Sequence, residues 1–168
     1  MYLLGKVGST EQKTRFLEPL VSGRARSAFF MTEPADAGGA GSDPSMMQTT
    51  CRLDGNHWVI NGRKKFITGA EGARVGIVMA KSDDGACMFL VDLPDPAIRT
   101  LRVLDTIDSS MPGGHAEIEI ENLRVSARNR ADCQLLMTGN AKLANDKNVE
   151  RSVQRGSDLV PDWNATTR

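Results

Sequence analysis

The chain has 168 residues, 40% of them hydrophobic and 25% charged, which suits one soluble globular domain with a core of its own, with or without appendages. Lys plus Arg and Asp plus Glu both number 21, so no global field draws in nucleic acid or an anionic membrane surface. The opening apolar run ends at Gly5 and Lys6, too early for a signal peptide or a spanning helix, and predicts a cytoplasmic protein.

The first predicted element is a short helix from Gly8 to Gly23. Ser9 can cap it and Gln12, three residues on, completes a capping box. Phe16, Leu17 and Leu20 share one face, Pro19 limits the length, and Gly23 closes the helix. The apolar stripe needs a cover, and only eight residues lie upstream to provide one.

From Arg26 to Val125 the pattern changes to short runs rich in β-branched and aromatic residues: ARSAFFM, MMQTTCRL, HWVI, RKKFIT, VGIVMA, CMFLV and HAEIEIENLRV. Asp54-Gly55-Asn56, Asn61-Gly62 and Asp84-Gly85 read as hairpin turns. In HAEIEIE, Ala116, Ile118 and Ile120 alternate with Glu117, Glu119 and Glu121, predicting a strand with one wet face. The fold class expected is therefore mainly β, an antiparallel barrel or sandwich of about 100 residues. The organisation expected is a helical remnant over 1–24, a β domain over 25–129 and an atypical tail over 130–168, weakly helical or poorly ordered, with sparse apolar residues.

Little in the titratable residues suggests chemistry. Cys51, Cys87 and Cys133 are scattered and odd in number, reading as reduced structural thiols. His57 and His115 have no carboxylate or thiol at metal spacing, so neither a metal site nor a nucleophile is assigned. Glu33, beside Pro34, reads as a turn-fixing or hydrogen-bonding acid at least as readily as a proton-transfer group.

Two stretches are less ordinary. The run from Phe29 to Asp43, FFMTEPADAGGAGSD, ends a strand on a threonine and opens into a loop of Ala, Gly, Asp and Ser. It lacks the spacing of a phosphate loop, leaving a surface loop or a backbone that a ligand approaches closely. In Ile60–Gly69, INGRKKFITG, the three basic residues read as a solvated edge, and Phe66 and Thr68 would share a strand face. A flat ring and a hydroxyl would then meet one ligand, or simply be an ordinary core ring and an incidental threonine.

In order, these segments resemble the acyl-CoA dehydrogenase family. Gly8-Ser9-Thr10-Glu11-Gln12-Lys13 is similar to its GTEEQK helix, and Phe16-Leu17-Glu18-Pro19-Leu20 and Ser22-Gly23 follow as usual. Met31-Thr32-Glu33-Pro34 through Gly41-Ser42-Asp43 resembles TEPGAGSD. Ile60 to Thr68 resembles INGxKxWIT, and Asn122-Leu123-Arg124-Val125 resembles NxRVP.

The resemblance implies a β domain forming one wall of an FAD pocket, with acyl-CoA sliding between flavin and protein. It implies that backbone from Phe29 through Phe30 to Met31 lines the ring and that Thr32 bonds its pyrimidine end. Phe66 would stand where the family has a packing Trp, with Ile67 beside it and Thr68 near the reactive nitrogen. Gly41 and Ser42 would meet cofactor phosphate or the substrate's pantetheine arm. It also implies a homo-oligomer in the full-length family.

Three departures matter: a longer loop between Pro34 and Gly41, Phe66 in place of Trp, and Ser126 in place of the motif's proline. The family's proton-abstracting glutamate belongs to a C-terminal bundle that residues 130–168 do not resemble. Glu150 lies there without matching it, so no catalytic residue is assigned. The expected activity is α,β-desaturation of acyl-CoA thioesters with FAD as hydride acceptor, by a module incomplete and inactive alone. The alternatives are a related flavin oxidase or monooxygenase, or a non-catalytic β-barrel interaction module using exposed Phe16, Leu17 and Leu20.

Overall fold

A computed structural model describes residues 1–131 apart from 40, 84 and 108–111. The expectations for Cys133, Glu150 and the tail from 132 onward, and for Asp84 in its turn, lie outside the described residues.

The chain opens with helix α1 (Tyr2–Val7) and a second helical stretch built of α2 (Thr10–Gln12), a π turn (Lys13–Leu17) and α3 (Glu18–Val21). The predicted capping box is present: the Gln12 amide donates to Ser9 Oγ at 3.2 Å, and the Ser9 amide donates to Gln12 Oε1 at 3.0 Å. Pro19 does not end the stretch but stands in the first turn of α3. It has no N–H to donate four residues back, and just before it the Glu18 amide reaches Lys13 instead, widening the turn. Gly23, at φ 72°, then ends the stretch in a left-handed conformation.

Eight strands follow among the described residues: β1 (Ser27–Phe30), β2 (Thr50–Asp54), β3 (His57–Thr68), β4 (Val75–Ser82), β5 (Gly85–Asp92), β6 (Ile98–Val103), β7 (His115–Ser126) and β8 (Arg130–Ala131). They form one sheet in the order β6-β7-β3-β2-β4-β5-β8, with β1 beside β4. The fold is mainly β, as expected, but mixed rather than antiparallel throughout. β1 runs parallel to β4, with Phe29 opposite Ile77, and β2 meets β4 in parallel at Thr50 and Lys81. Strand β6, IRTLRV, was not anticipated. Its burial is irregular, so its sequence lacks the period-two signal, and pairing with β7 defines it instead.

Two bulges change the sequence reading. Asn61-Gly62 is not a hairpin turn, and HWVI and RKKFIT are one continuous strand. Ile60 pairs with Leu123 and Gly62 with Ile120, leaving an extra residue on β7, where Asn122 takes φ 53° and its amide donates to Asn61 Oδ1 at 2.7 Å. Gly62 is needed for close approach rather than for turning, since a Cβ there would lie 2.7 Å from Thr49 Cα. Farther along, Lys64 pairs with Ile118 and Ile67 with Ala116, so Lys65 and Phe66 together oppose one residue. Phe66 sits at φ 60°.

The sheet separates two apolar clusters. Inside, Phe30, Trp58, Ile60, Ile67, Val78, Phe89, Ile118 and Leu123 pack together, with the Trp58 and Phe89 rings 5.5 Å apart. Outside, Leu4, Phe16 and Leu20 share a cluster with Val75, Ile77, Met79 and Leu90. Strand β4 therefore contributes to both, which explains its unbroken apolar run. Phe16 and Leu20 are buried, not exposed as the interaction-module alternative required. Covering them is worth about 1.5–3 kcal/mol each. Gln12 adds a polar stitch, its Nε2 donating to the Arg128 carbonyl at 2.7 Å and the Arg130 carbonyl at 3.2 Å.

The expected wet face of β7 is only partly wet. Glu119 and Glu121 lie toward solvent, but Glu117 is 2% exposed, paired with Arg63 and, at 2.8 Å, with Arg102. Burial favours its neutral form, but the Arg102 and Arg63 guanidinium groups more than reverse this and hold its carboxyl below the usual range. Cys51 and Cys87 are both buried, and the neighbouring Cys87 thiol together with burial pushes the Cys51 thiol up.

Candidate functional site

The site forms where the chain leaving β1 crosses the second bulge of β3. Thr32 is held at both ends of its peptide environment: its carbonyl accepts from the Lys65 amide at 2.9 Å, and its hydroxyl donates to the Lys65 carbonyl. One residue earlier, the Met31 carbonyl accepts from Lys64 Nζ at 3.1 Å. One residue later, the Glu33 amide donates to the Gly41 carbonyl at 3.0 Å, folding the glycine-rich loop back onto the crossing.

Beneath this crossing lies a buried ion pair. Lys64 is 0% exposed and its Nζ is 2.9 Å from Glu33 Oε1. The same carboxylate accepts from the Gln48 amide at 2.6 Å and the Thr49 amide at 2.9 Å. Burial alone would raise the Glu33 carboxyl. The nearby Thr49 hydroxyl, which closes no full hydrogen bond, together with the two amides and the ammonium, brings it below its ordinary value. Burial depresses the Lys64 ammonium, and Glu33 opposes that shift. Glu33 thus ties down the 34–48 loop at its middle and its far end, its backbone amide donating to the Gly41 carbonyl and its carboxylate accepting from the Gln48 amide. Gly39 passes so near that a Cβ would lie 2.5 Å from Glu33 Cβ, which accounts for a residue without a side chain there.

Above the crossing the surface is open. Phe66 is 59% exposed and Phe29 42% exposed, an unusual display for large rings on a sheet. The bulge turns Phe66 outward and leaves Lys64 and Ile67 buried on either side. Thr68 is exposed, and its Oγ1 lies 2.9 Å from His115 Nδ1. It borders a hollow of about 420 Å³ lined also by Leu20, Ala25, Arg26, Gly69 and Pro112. Exposed rings, a hydroxyl and open backbone fit a flat ring system with polar edges. Because Thr32 gives its hydrogen to Lys65, it can only accept from such a ligand, which suits a ring N–H.

The structure thus brings Met31, Thr32, Gly41, Phe66 and Thr68 to one region. The Phe30 and Ile67 side chains belong to the inner core, leaving only their backbone for a ligand. Ser42 is exposed next to Gly41. The basic run is not a solvated edge, because β3 lies inside the sheet between β7 and β2 and Lys64 is fully buried. Sequence reasoning missed the Glu33–Lys64 pair and the His115 contact. Glu33 and Lys64 are 31 residues apart, and only the crossing joins them. No group of His, Cys, Asp and Glu among the described residues is arranged to hold a metal. No helix among them is long and apolar enough to cross a membrane.

Comparison with known proteins gives a consistent match. Residues 28–123 match the model of the acyl-CoA dehydrogenase middle domain. The chain is 37% identical over 137 residues to FadE2 of Mycobacterium tuberculosis, covering 77% of this chain and 33% of that protein. It is 36% identical over 140 residues to acyl-CoA dehydrogenase family member 11 of Gallus gallus, covering 77% of this chain and 18% of that one. Among solved structures, a glutaryl-CoA dehydrogenase of Mycobacterium smegmatis in complex with FADH2 superimposes with a TM-score of 0.68 at 33% identity, over 77% of this chain and 32% of that one. The chain therefore spans a third or less of the length of these relatives.

Proposed function

The chain belongs to the acyl-CoA dehydrogenase family, and on that premise we propose that it supplies one wall of an FAD site for α,β-desaturation of acyl-CoA thioesters. The observation that carries this reading is the crossing itself. An outward Phe66 at a bulge, an acceptor-only Thr32 and an exposed Thr68 stand beside a glycine-rich loop held by Glu33.

FAD, when bound, would supply the hydride acceptor. The chain's own contribution is binding and orientation. Phe66 and Phe29 offer apolar surface to the ring, Thr32 accepts from an N–H on its edge, and Thr68 offers a hydroxyl. Gly41 and Ser42 offer backbone and a small side chain to the phosphate or pantetheine portions. No residue described here is assigned the α-proton abstraction. A wall open to solvent holds its ligand weakly, since hydrogen bonds to a wet ring compete with water. Turnover therefore needs a second wall from further sequence or from another copy of the chain, as in a homo-oligomer.

The test is the visible absorbance of the purified chain after incubation with excess FAD and desalting. The expected result is weak binding by the chain alone, strengthened when the missing wall is supplied, with bleaching on addition of acyl-CoA. A folded β protein that never retains flavin, even with the remainder of a family member present, would overturn the assignment.

A further inference from the structure

Thr68 and His115 face each other across β3 and β7 as a register pair, and the neighbouring Gly69 amide donates to the Gly114 carbonyl at 2.8 Å. The ring is aligned by the sheet, and its Nδ1 lies 2.9 Å from Thr68 Oγ1. A threonine hydroxyl has one hydrogen and can accept as well. If Nδ1 is bare, it accepts and Thr68 must donate to it, turning only lone pairs outward. If Nδ1 carries the hydrogen, Thr68 accepts and its own hydrogen turns outward. The tautomer of one imidazole thus decides whether Thr68 greets a ligand as acceptor or as donor.

We propose that His115 is a positioning residue that sets the donor or acceptor sense of the Thr68 hydroxyl toward the bound flavin. This rests on the reading that Thr68 faces FAD. Oxidised and reduced flavins differ at their ring nitrogens, where a bare acceptor becomes an N–H on reduction. A hydroxyl of fixed sense therefore prefers one redox form, whereas a freely rotating one serves both. Fixing that sense makes His115 a determinant of the relative affinity for the two forms, beyond any effect on fold.

The test titrates the chain with oxidised FAD and, anaerobically, with FADH2, comparing wild type with His115→Phe and His115→Asn. His115→Phe is expected to shift the ratio of the two dissociation constants roughly tenfold, about 1.4 kcal/mol of differential binding. His115→Asn, whose amide can present either a carbonyl or an N–H to Thr68, keeps a partner without setting the sense and is expected to leave most of that shift in place. A ratio unchanged in a folded His115→Phe would overturn the proposal while leaving the flavin reading intact. Failure of wild type to bind either form even with the missing wall supplied would count against the wall as a flavin site, and the proposal would fall with it. Independently, Thr68→Val should move the His115 Nδ1 resonance in nitrogen-15 NMR, and an unmoved resonance would overturn the pairing itself.

Discussion

Phe66 is a bulky residue at φ 60°, a conformation that costs an L-residue about 1–2 kcal/mol. Nothing in the core repays it, because the ring is 59% exposed. The cost is confined to a position where it turns a ring outward, which is the pattern expected of a ligand-facing residue. Phe66→Gly relieves the strain and loses little buried surface, offset by about 0.5–1 kcal/mol of extra chain entropy in the unfolded state. The melting temperature is therefore expected to stay level or rise, while affinity for FAD falls. A large drop in thermal stability would mean that the ring packs against the fold after all.

At the scale of elements, the Glu33–Lys64 pair joins the end of β1 and the glycine-rich loop to the middle of β3. Truncating one partner of a buried pair leaves the other charge uncompensated, at a cost of roughly 3–5 kcal/mol. Lys64→Met is expected to lose stability in that range by urea denaturation, and adding Glu33→Gln should recover part of it. A loss no larger than that of an exposed lysine would show that the pair does not hold the crossing. The strands themselves were readable where alternation or a long apolar run marked them, as in β4, β5 and β7. The capping box of Ser9 and Gln12 was equally plain. What escaped the sequence was set by neighbours far along the chain. Asn61-Gly62 has the composition of a hairpin turn, yet β7 runs alongside it and imposes a bulge. Lys64 looks like a surface residue until Glu33 meets it. The motif residues Thr32, Phe66 and Thr68 could be singled out in advance, but the geometry that makes Thr32 an acceptor and commits Thr68 to His115 could not.

For the molecule as a whole, the two carboxylates buried among the described residues contribute to behaviour in acid. Glu33 and Glu117 both have folded pKa values below the value of an unfolded glutamate carboxyl. Each therefore adds stability above that value and loses it as pH falls through the lower folded one. Stability is expected to be level for these groups near neutrality and to fall below about pH 4, as read by urea midpoints across pH. Glu117→Gln should be less stable at neutral pH and lose less on acidification. An identical acid slope in that variant would show that the Arg63 and Arg102 contacts do not shift its carboxyl.

The Gln12 stitch has a consequence for how the chain comes together over time. Its two partners, Arg128 and Arg130, lie 116 and 118 residues away. The helical segment can dock on β4 and β5 earlier, but its side-chain amide has nothing to grasp until almost the whole β domain has been made. Closing so long a loop is slow, because its entropy is lost before the contact forms. During synthesis, that amide stays open until the last described strand emerges, so the stitch is among the final contacts to lock.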